Sequence, residues 1–315
     1  MPRLTILIAD TGGAGPLETT LASVLQHRPT SSEVIVVHRG KYDDPYELSD
    51  EVHFIAGPPR ANTVDLLNVG IAAARGEVVH LLAPGVEVDE QWCVAPLRYF
   101  QDPLVSSVGP VVHDAENRDQ ILAAGLGFSS GGGRVVWSSP PNPGELIGPP
   151  LAAAFYRRRI LQALGGLDRD LSISLVDVDL ALCCEELGFR TVIDPASRVY
   201  APQRVLRTDS GFWQGQAAER LFWRHMKHRG SVSSWLAHPF SIAAECLREA
   251  PSPSAVTSLL GRVVGSLHSE GASQIKRLEA ALEALQSPRL TGYFEHSEAD
   301  APHAAPKKKS RRRAA

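Results

Sequence analysis

The chain contains few cysteines and no long hydrophobic segment. It has 315 residues and 4 cysteines; Cys183 and Cys184 are adjacent, and the spacing fits neither a metal site nor a disulfide framework. No apolar run approaches the length that crosses a bilayer, and the first residues lack the long apolar region and cleavage site of a signal peptide. These absences predict a cytoplasmic protein with reduced cysteines in its core.

Outside its C-terminal end the chain has no excess of basic residues. Its net charge is −3, but six Lys and Arg lie between residues 307 and 313, which leaves about −9 on the rest of the chain. A nucleic-acid-binding domain would carry its basic residues on a folded face, so this pattern argues against nucleic acid as the domain's partner. A disordered, solvated tail is the favoured interpretation. Contact with RNA, or with anionic lipid at the inner membrane face, is the alternative.

Alternating strand and helix patterns predict the fold class. Short apolar strands are expected over 4–8, 33–37, 52–56, 78–82 and 190–193, with helical segments between them. Such βαβ order predicts an α/β domain, with a mostly parallel sheet and helices on both faces. After about residue 204 only helical patterns follow. We therefore expect a domain over 1–204, a helical extension over 205–286 and a disordered basic tail over 287–315.

The segment 67–86 is the most informative part of the sequence. It reads LNVGIAAARGEVVHLLAPGV: a helix capped near Gly76, a buried strand, and the turn Ala83-Pro84-Gly85. Because ligands bind at the carboxyl ends of strands in open α/β sheets, this turn should border a site. This segment, with Asn68 in the pattern Asn-x-Gly-Ile, resembles the matching segment of the family 2 glycosyltransferases. Their strand ends in an Asp-x-Asp turn, whereas the turn here has no carboxylate.

A second block, residues 152–200, strengthens this resemblance. It contains Gly165-Gly166-Leu167-Asp168 and Val176-Asp177-Val178-Asp179-Leu180, in the family's order, so that the resemblance covers residues 3–204. It implies the Rossmann-like GT-A fold, which holds a nucleotide sugar, and an inverting transfer in which Asp177 takes the proton of the acceptor hydroxyl. Asp168 and Asp179 would lie on the acceptor side. The alternative for Asp177 and Asp179 is an acidic residue at the start of a helix over 177–187, which fits Asp179 better.

The half of the domain that would bind the nucleotide departs from the family pattern. Gly40 is retained, but His38 and Arg39 lie where the family has an acidic residue that binds the base of the nucleotide. Asp10, in the first loop, either faces the site or only forms a turn. By the resemblance, Asn68, Ala83 and Gly85 complete the predicted nucleotide-sugar site.

No divalent metal ligand is expected at the turn, although Mn²⁺ or Mg²⁺ is usual in the family. Both ions require oxygen ligands, and residues 83–85 have no side-chain oxygen. Arg39, Lys41 and Arg60 either neutralise the leaving diphosphate or are solvated loop cations. His225 and His228 have a metal-like spacing, but their basic neighbours favour a solvated helix end.

Two functions follow from these patterns. The favoured one is a glycosyltransferase with weakened or absent metal dependence, which transfers sugar from a nucleotide sugar to a glycan or a lipid-linked acceptor. The alternative is a catalytically inactive relative that serves as a binding or scaffold subunit of a system assembling cell-envelope glycans. Fold resemblance alone does not separate the two, because function depends on the site.

Overall fold

The structure is a computed structural model of the whole chain. It describes residues 2–12, 14–40, 42, 44–142, 144–208, 210–229, 232–249, 252–267 and 271–287. Within these ranges the side chains of residues 14, 226–229, 232–234, 245–249 and 271 are not described. The predicted tail after Ser287, Lys41 and the side chain of His228 lie outside the described part.

The elements alternate in the first part of the chain, as the sequence predicts. They are β1 (Leu4–Asp10), α1 (Ala14–His27), β2 (Ser32–Arg39), β3 (Val52–Gly57), α2 (Thr63–Ala73), β4 (Val78–Leu82), β5 (Glu87–Val88) and α3 (Val94–Tyr99). Asn62 and Asp65 form a reciprocal capping box that starts α2.

The second part combines strands with the helices of the C-terminal region. Its elements are β6 (Val105–Asp114), β7 (Ile121–Ala123), β8 (Leu126–Phe128), β9 (Arg134–Val136), β10 (Ala153–Arg157), α4 (Arg158–Ala163), α5 (Ile173–Glu186), β11 (Arg190–Ala201), α6 (Phe212–Arg229), α7 (Val232–Glu249), α8 (Pro253–Ser266) and α9 (Gly271–Gln286).

One sheet organises the molecule, in the order β3-β2-β1-β4-β10-β6-β11-β5, with β7 beside β6. The strands β3, β2, β1 and β4 are mutually parallel, and β6 pairs in parallel with β11. Since β10 is antiparallel to both β4 and β6, all six of these strands run in one direction. The prediction of a mostly parallel sheet is confirmed, and the carboxyl ends of the six strands share one edge.

Both faces of the sheet are covered by helices, as predicted. Along β1, Leu7 and Ala9 pack into a core shared with α2, α4 and α5. Ile6 and Ile8 point to the other face, into a core shared with α1 and α3. This alternation follows from the period of two in strands, and it makes β1 fully buried.

The described residues after 210 form four helices. α6 packs closely on α8, and α6 and α9 pack on α5 and α4 of the sheet domain. No helix in the described ranges is long and apolar enough to cross a membrane. The predicted boundary between a domain over 1–204 and an extension over 205–286 remains a prediction. Ion pairs described below join these two parts of the chain.

Candidate functional site

Two predicted residues meet at the carboxyl ends of β1 and β2. Asp10 and His38 are neighbours in the ladder between these strands, and both side chains are largely buried. The Asp10 Oδ1 atom accepts a hydrogen bond from the Gly12 amide at 3.2 Å, which holds the loop before α1. Nδ1 of His38 has no partner among the described groups. Arg39 follows with an exposed side chain, and Gly40, with φ +91°, ends the strand.

The turn Ala83-Pro84-Gly85 lies at the carboxyl end of β4, where the sequence predicts it. The Ala83 amide donates to the Ala152 carbonyl at 2.8 Å, immediately before β10. The Gly85 amide donates to the Pro16 carbonyl and to Thr20 Oγ1 in α1, both at 2.9 Å. Gly85 has φ +92°, a conformation that favours glycine. The turn is therefore fixed between β10 and α1.

Arg204 lies beside this turn. It belongs to a short 3₁₀ segment, Gln203–Leu206, directly after β11. Gln203 Nε2 donates to Asp114 Oδ2 at 2.7 Å, and the Leu206 carbonyl accepts from Arg134 Nη1 at 3.0 Å, so the segment is anchored at both ends. Arg204 itself is exposed and makes no ion pair with a described residue. A Cβ built on Gly85 would lie 3.6 Å from Arg204 Nη2.

This arrangement does not fit a divalent cation at the turn. Ala83 and Gly85 offer no side-chain oxygen, and the guanidinium of Arg204 already brings positive charge to the place where an acid at position 85 would project. A cation placed there would be repelled by that guanidinium. The same charge attracts an anion.

Asp177, the predicted base, is buried and paired with an arginine. Arg134 Nε donates to Oδ1 at 3.2 Å and Nη2 donates to Oδ2 at 2.9 Å, with 4% and 1% of the two side chains exposed. The Leu151 amide donates to Oδ2 at 3.4 Å, which places Asp177 close to the carboxyl edge of the sheet. α5 begins at Ile173, so Asp177 lies in the second turn and the reading of it as a helix-start residue is wrong.

The predicted acceptor-side residues form a buried ionic cluster with the C-terminal helices. Arg224 Nη1 lies 2.6 Å from Asp168 Oδ2 and 3.0 Å from Asp179 Oδ1. Arg277 Nη1 lies 2.9 Å from Asp179 Oδ2, and His225 Nε2 lies 3.0 Å from Oδ1. Burial would raise the pKa of Asp179, but the hydrogen bond from His225 and the two arginines hold it well below its ordinary value. Asp179 therefore joins α5 to α6 and α9, and it does not lie at the helix start that the sequence favoured for it.

His225 is also not the solvated residue that its basic neighbours predict. It is 1% exposed, and Nδ1 lies 2.7 Å from Glu186 Oε1. Burial lowers its pKa, but the hydrogen bonds with Asp179 and Glu186 outweigh this and raise it. The donor atoms of Asp179, Cys183 and His225 lie within 4.8 Å of one another. Because Asp179 is neutralised by two arginines and burial raises the pKa of the Cys183 thiol well above its ordinary value, the cluster does not fit a metal ion.

The remaining predicted residues are Asn68, in the middle of α2, and Arg60, before this helix. Asn68 Oδ1 accepts from the Leu167 amide at 2.7 Å, and Nδ2 donates to the Leu167 carbonyl at 2.8 Å. Its amide group therefore holds the loop before Asp168. Arg60 is exposed in the loop before α2.

Arg134 and Arg204 were missed by the sequence reasoning. Arg204 offered one signal, a cation immediately after the last strand of the sheet, where ligands are expected. Arg134 offered none, because its contact with Asp177 joins β9 to α5 across 43 residues.

The sequence matches no protein-family model, and it matches no curated protein. Solved structures do match its fold. Mannosyltransferase PcManGT from Pyrobaculum calidifontis, in complex with GDP-Man and Mn²⁺, is 16% identical with a TM-score of 0.52, and the match covers 93% of this chain and 88% of that one. S. aureus TarS 1–349 is 10% identical with a TM-score of 0.59, covering 93% of each chain. GalNAc-T7 with UDP, GalNAc and Mn²⁺ is 15% identical with a TM-score of 0.54, covering 72% of this chain and 48% of that one.

These similarities show the fold. The chain has the GT-A fold of glycosyltransferases, in a divergent form without the Asp-x-Asp turn, and the resemblance read from the sequence is confirmed at this level.

Proposed function

We propose that the protein is a glycosyltransferase that uses a nucleotide sugar and inverts the configuration at the transferred carbon. In this proposal Arg204 supplies the positive charge that a metal ion supplies at an Asp-x-Asp turn. The observation that carries it is the exposed guanidinium of Arg204 beside Gly85, at the carboxyl edge of a GT-A sheet.

The charge of this edge supports a diphosphate group as ligand. Arg204 has no carboxylate partner among the described residues. Arg39 is exposed at the end of β2, and Arg60 is exposed in the loop that follows β3. A guanidinium donates paired hydrogen bonds to phosphate oxygens and keeps its charge at any physiological pH. Negative charge develops on the leaving diphosphate during transfer, so a fixed cation there stabilises the transition state. Two of the matched structures contain a nucleotide or nucleotide sugar together with Mn²⁺.

Asp177 is the proposed base for the acceptor hydroxyl. It lies next to Leu151, one residue before the carbonyl that fixes Ala83, and so borders the same edge as Arg204. Both of its oxygens are engaged by Arg134 in this structure. Proton transfer to Asp177 therefore requires Arg134 to withdraw when the acceptor is bound. A glycan or a lipid-linked glycan is the proposed acceptor.

A second candidate function is an inactive subunit that binds a nucleotide sugar or a glycan within a glycan-assembly system. The bidentate pairing of Asp177 with Arg134 favours it, because a buried and neutralised carboxylate is a structural group unless it is released.

Calorimetric titration with a panel of GDP- and UDP-sugars, with Mn²⁺ or with EDTA, tests the proposed function. We expect binding in EDTA and a loss of roughly tenfold or more in Arg204→Ala, the size typical of a lost charge-assisted contact. Arg75→Ala, which removes an exposed arginine just before β4 at the opposite edge of the sheet, is the matched control and should bind as the wild type.

The outcomes separate the proposals. Absence of binding under every condition overturns nucleotide-sugar use. Binding that requires Mn²⁺ and is unchanged in Arg204→Ala overturns the role of Arg204. Binding without turnover towards any glycan or lipid-linked acceptor supports the inactive subunit.

A further inference from the structure

Helix α8 exposes its large apolar residues. Val256, Leu259, Leu260, Val263 and Leu267 recur at helical spacing along one stripe, and each is exposed, Leu267 at 80%. A stripe of this kind normally faces a protein core. Here it faces outwards in the described structure.

The inner side of α8 carries small residues. Gly261 and Gly265 lie against α6, and Gly215 of α6 lies against Ser258 of α8; a Cβ on any of the three glycines would collide with the backbone of the other helix. The contact is therefore made backbone to backbone, which leaves no space for leucine or valine on that side. The outward orientation of the apolar stripe is fixed by this packing.

Helix α7, which neighbours α8, also exposes large apolar residues. Trp235, Leu236 and Phe240 are exposed, Phe240 at 77%, and α7 packs on α8. We call these three residues and the stripe on α8 the apolar surface. It carries no charge among the described side chains of the two helices, because Arg262 and His238 are buried.

The length of α8 and the aromatic residues indicate the kind of partner. Fourteen residues span about 21 Å, too short to cross a bilayer but sufficient to lie along its interface. Trp and Phe next to aliphatic side chains are typical of helices that lie in that plane.

The charge of the chain distinguishes a membrane from a second copy. Residues 288–306 connect the end of the described structure to the basic cluster at 307–313, and a chain of this length spans at most about 65 Å. Six positive charges brought close to the apolar surface match anionic lipid phosphates. In a dimer formed through the same surface, two such clusters would repel each other.

We propose that the apolar surface docks on an anionic bilayer, with the cluster at 307–313 as the second, electrostatic attachment. A single weak attachment gives only marginal binding, whereas an apolar helix face combined with a polybasic segment gives stable binding.

The side of the protein that carries the apolar surface would lie close to Asp177, the proposed base for the acceptor hydroxyl. His238 Nδ1 donates to the Ser130 carbonyl at 2.9 Å and Arg262 Nη1 donates to the Gly131 carbonyl at 2.6 Å, so both helices hold the β8–β9 turn. Arg134, the partner of Asp177, follows that turn in β9. This placement favours a lipid-linked acceptor, an inference that rests on the proposed function.

Flotation with vesicles of phosphatidylcholine, with and without phosphatidylglycerol, tests the docking in the absence of any nucleotide. The full chain should float with the anionic vesicles, and Leu260→Glu/Val263→Glu should lower the bound fraction by about tenfold or more. Leu104→Glu, at an equally exposed leucine before β6, is the matched control and should float as the wild type. Glutamine at the six basic positions should weaken binding and reduce its salt dependence.

Two results would overturn the proposal. One is wild-type protein that does not float, or that floats equally well as Leu260→Glu/Val263→Glu. The other is a dimer in sedimentation velocity that this variant dissociates, without vesicle binding, which would make the surface a contact between copies. Should that variant fail to fold, Leu267→Glu alone, at the most exposed position, gives the same comparison. Because no nucleotide is present, failure of the proposed transferase activity leaves the result unchanged.

Discussion

His80 is a fully buried imidazole in the centre of β4. It stacks on Phe155 with the ring centroids 3.7 Å apart, and Trp92 lies on the same side. Burial lowers the pKa of His80 to about 3. The imidazole is therefore neutral in the folded protein over the whole physiological pH range. It packs like an apolar side chain in the core next to the site.

This burial predicts an acid-dependent loss of stability. The folded pKa lies below the unfolded one, so the unfolded chain binds more protons between about pH 6.5 and 3, and the free energy of unfolding falls as the pH falls through that window. Over that whole window the free energy of unfolding should fall by about 4–5 kcal/mol. His80→Leu should remove this part of the pH dependence in urea unfolding followed from pH 8 to pH 4.

His53→Leu is the matched control, since His53 is exposed on β3 and its replacement should leave the pH profile of unfolding as in the wild type. An unchanged slope in His80→Leu would contradict the assignment of the acid dependence to this residue.

At the level of single residues, the sequence predicted where a residue lies relative to a strand better than it predicted the contacts of its side chain. Gly85 follows β4 where the pattern places it, because the position of a strand follows from local hydrophobicity. Asp10 and His38 lie inside β1 and β2, which extend two residues beyond their predicted ends at 8 and 37. The pairing of Asp177 with Arg134, and the approach of Arg204 to Gly85, join residues that are far apart in the chain. Such contacts are set by packing, which no local pattern encodes.

Between elements, the pair Arg134–Asp177 joins β9 to α5. Asp177→Asn would leave the guanidinium of Arg134 buried without its counter-charge. We expect a loss of about 3–5 kcal/mol in the free energy of unfolding, measured by urea denaturation. The double variant Arg134→Met/Asp177→Leu removes both charges and should recover most of that loss.

Asp170→Asn, at an exposed aspartate near the start of α5, should change the free energy of unfolding by less than about 0.5 kcal/mol. A similarly small effect of Asp177→Asn would show that the pair contributes little. Activity of the Asp177 variant must therefore be compared at a temperature where both proteins are folded.

Element boundaries show where the sequence was insufficient. β4 matches its prediction, 78–82, because its apolar run is bounded by Gly76 and Pro84. β6 was not predicted, since Pro110 stands in its middle and proline normally argues against a central strand. The ladder with β11 shifts register between Asp194 and Arg198, opposite Pro110 and Val111, which accommodates the missing N–H. The start of α5 was placed four residues late because Asp177 was taken as a helix-start signal.

For the whole molecule, the order of motifs was enough to predict the fold. Strand and helix patterns follow one another in the arrangement of a parallel sheet, and right-handed connections leave few ways to assemble them. The outward-facing apolar residues of α8 were not predicted, because a periodic stripe in the sequence does not tell which side faces the protein.

The basic cluster at 307–313 provides a test at this scale. Removing residues 301–315 should leave the melting temperature in calorimetry nearly unchanged, because a polar and highly charged segment buries too little apolar area to offset its ordering entropy. The same truncated protein should float less with anionic vesicles. A fall of several degrees in the melting temperature would show instead that this segment docks on the folded part.

The position of Arg204 beside Gly85 determines what a metal site at this turn would require. An aspartate introduced at position 85 would adopt a backbone angle unfavourable to it, and its carboxylate would form an ion pair with Arg204 before any metal could bind. A second acid at position 83 and the loss of Arg204 would also be needed. Since each of these changes alone gives no metal site, residues 83, 85 and 204 must all be replaced together before a divalent cation can bind at this turn.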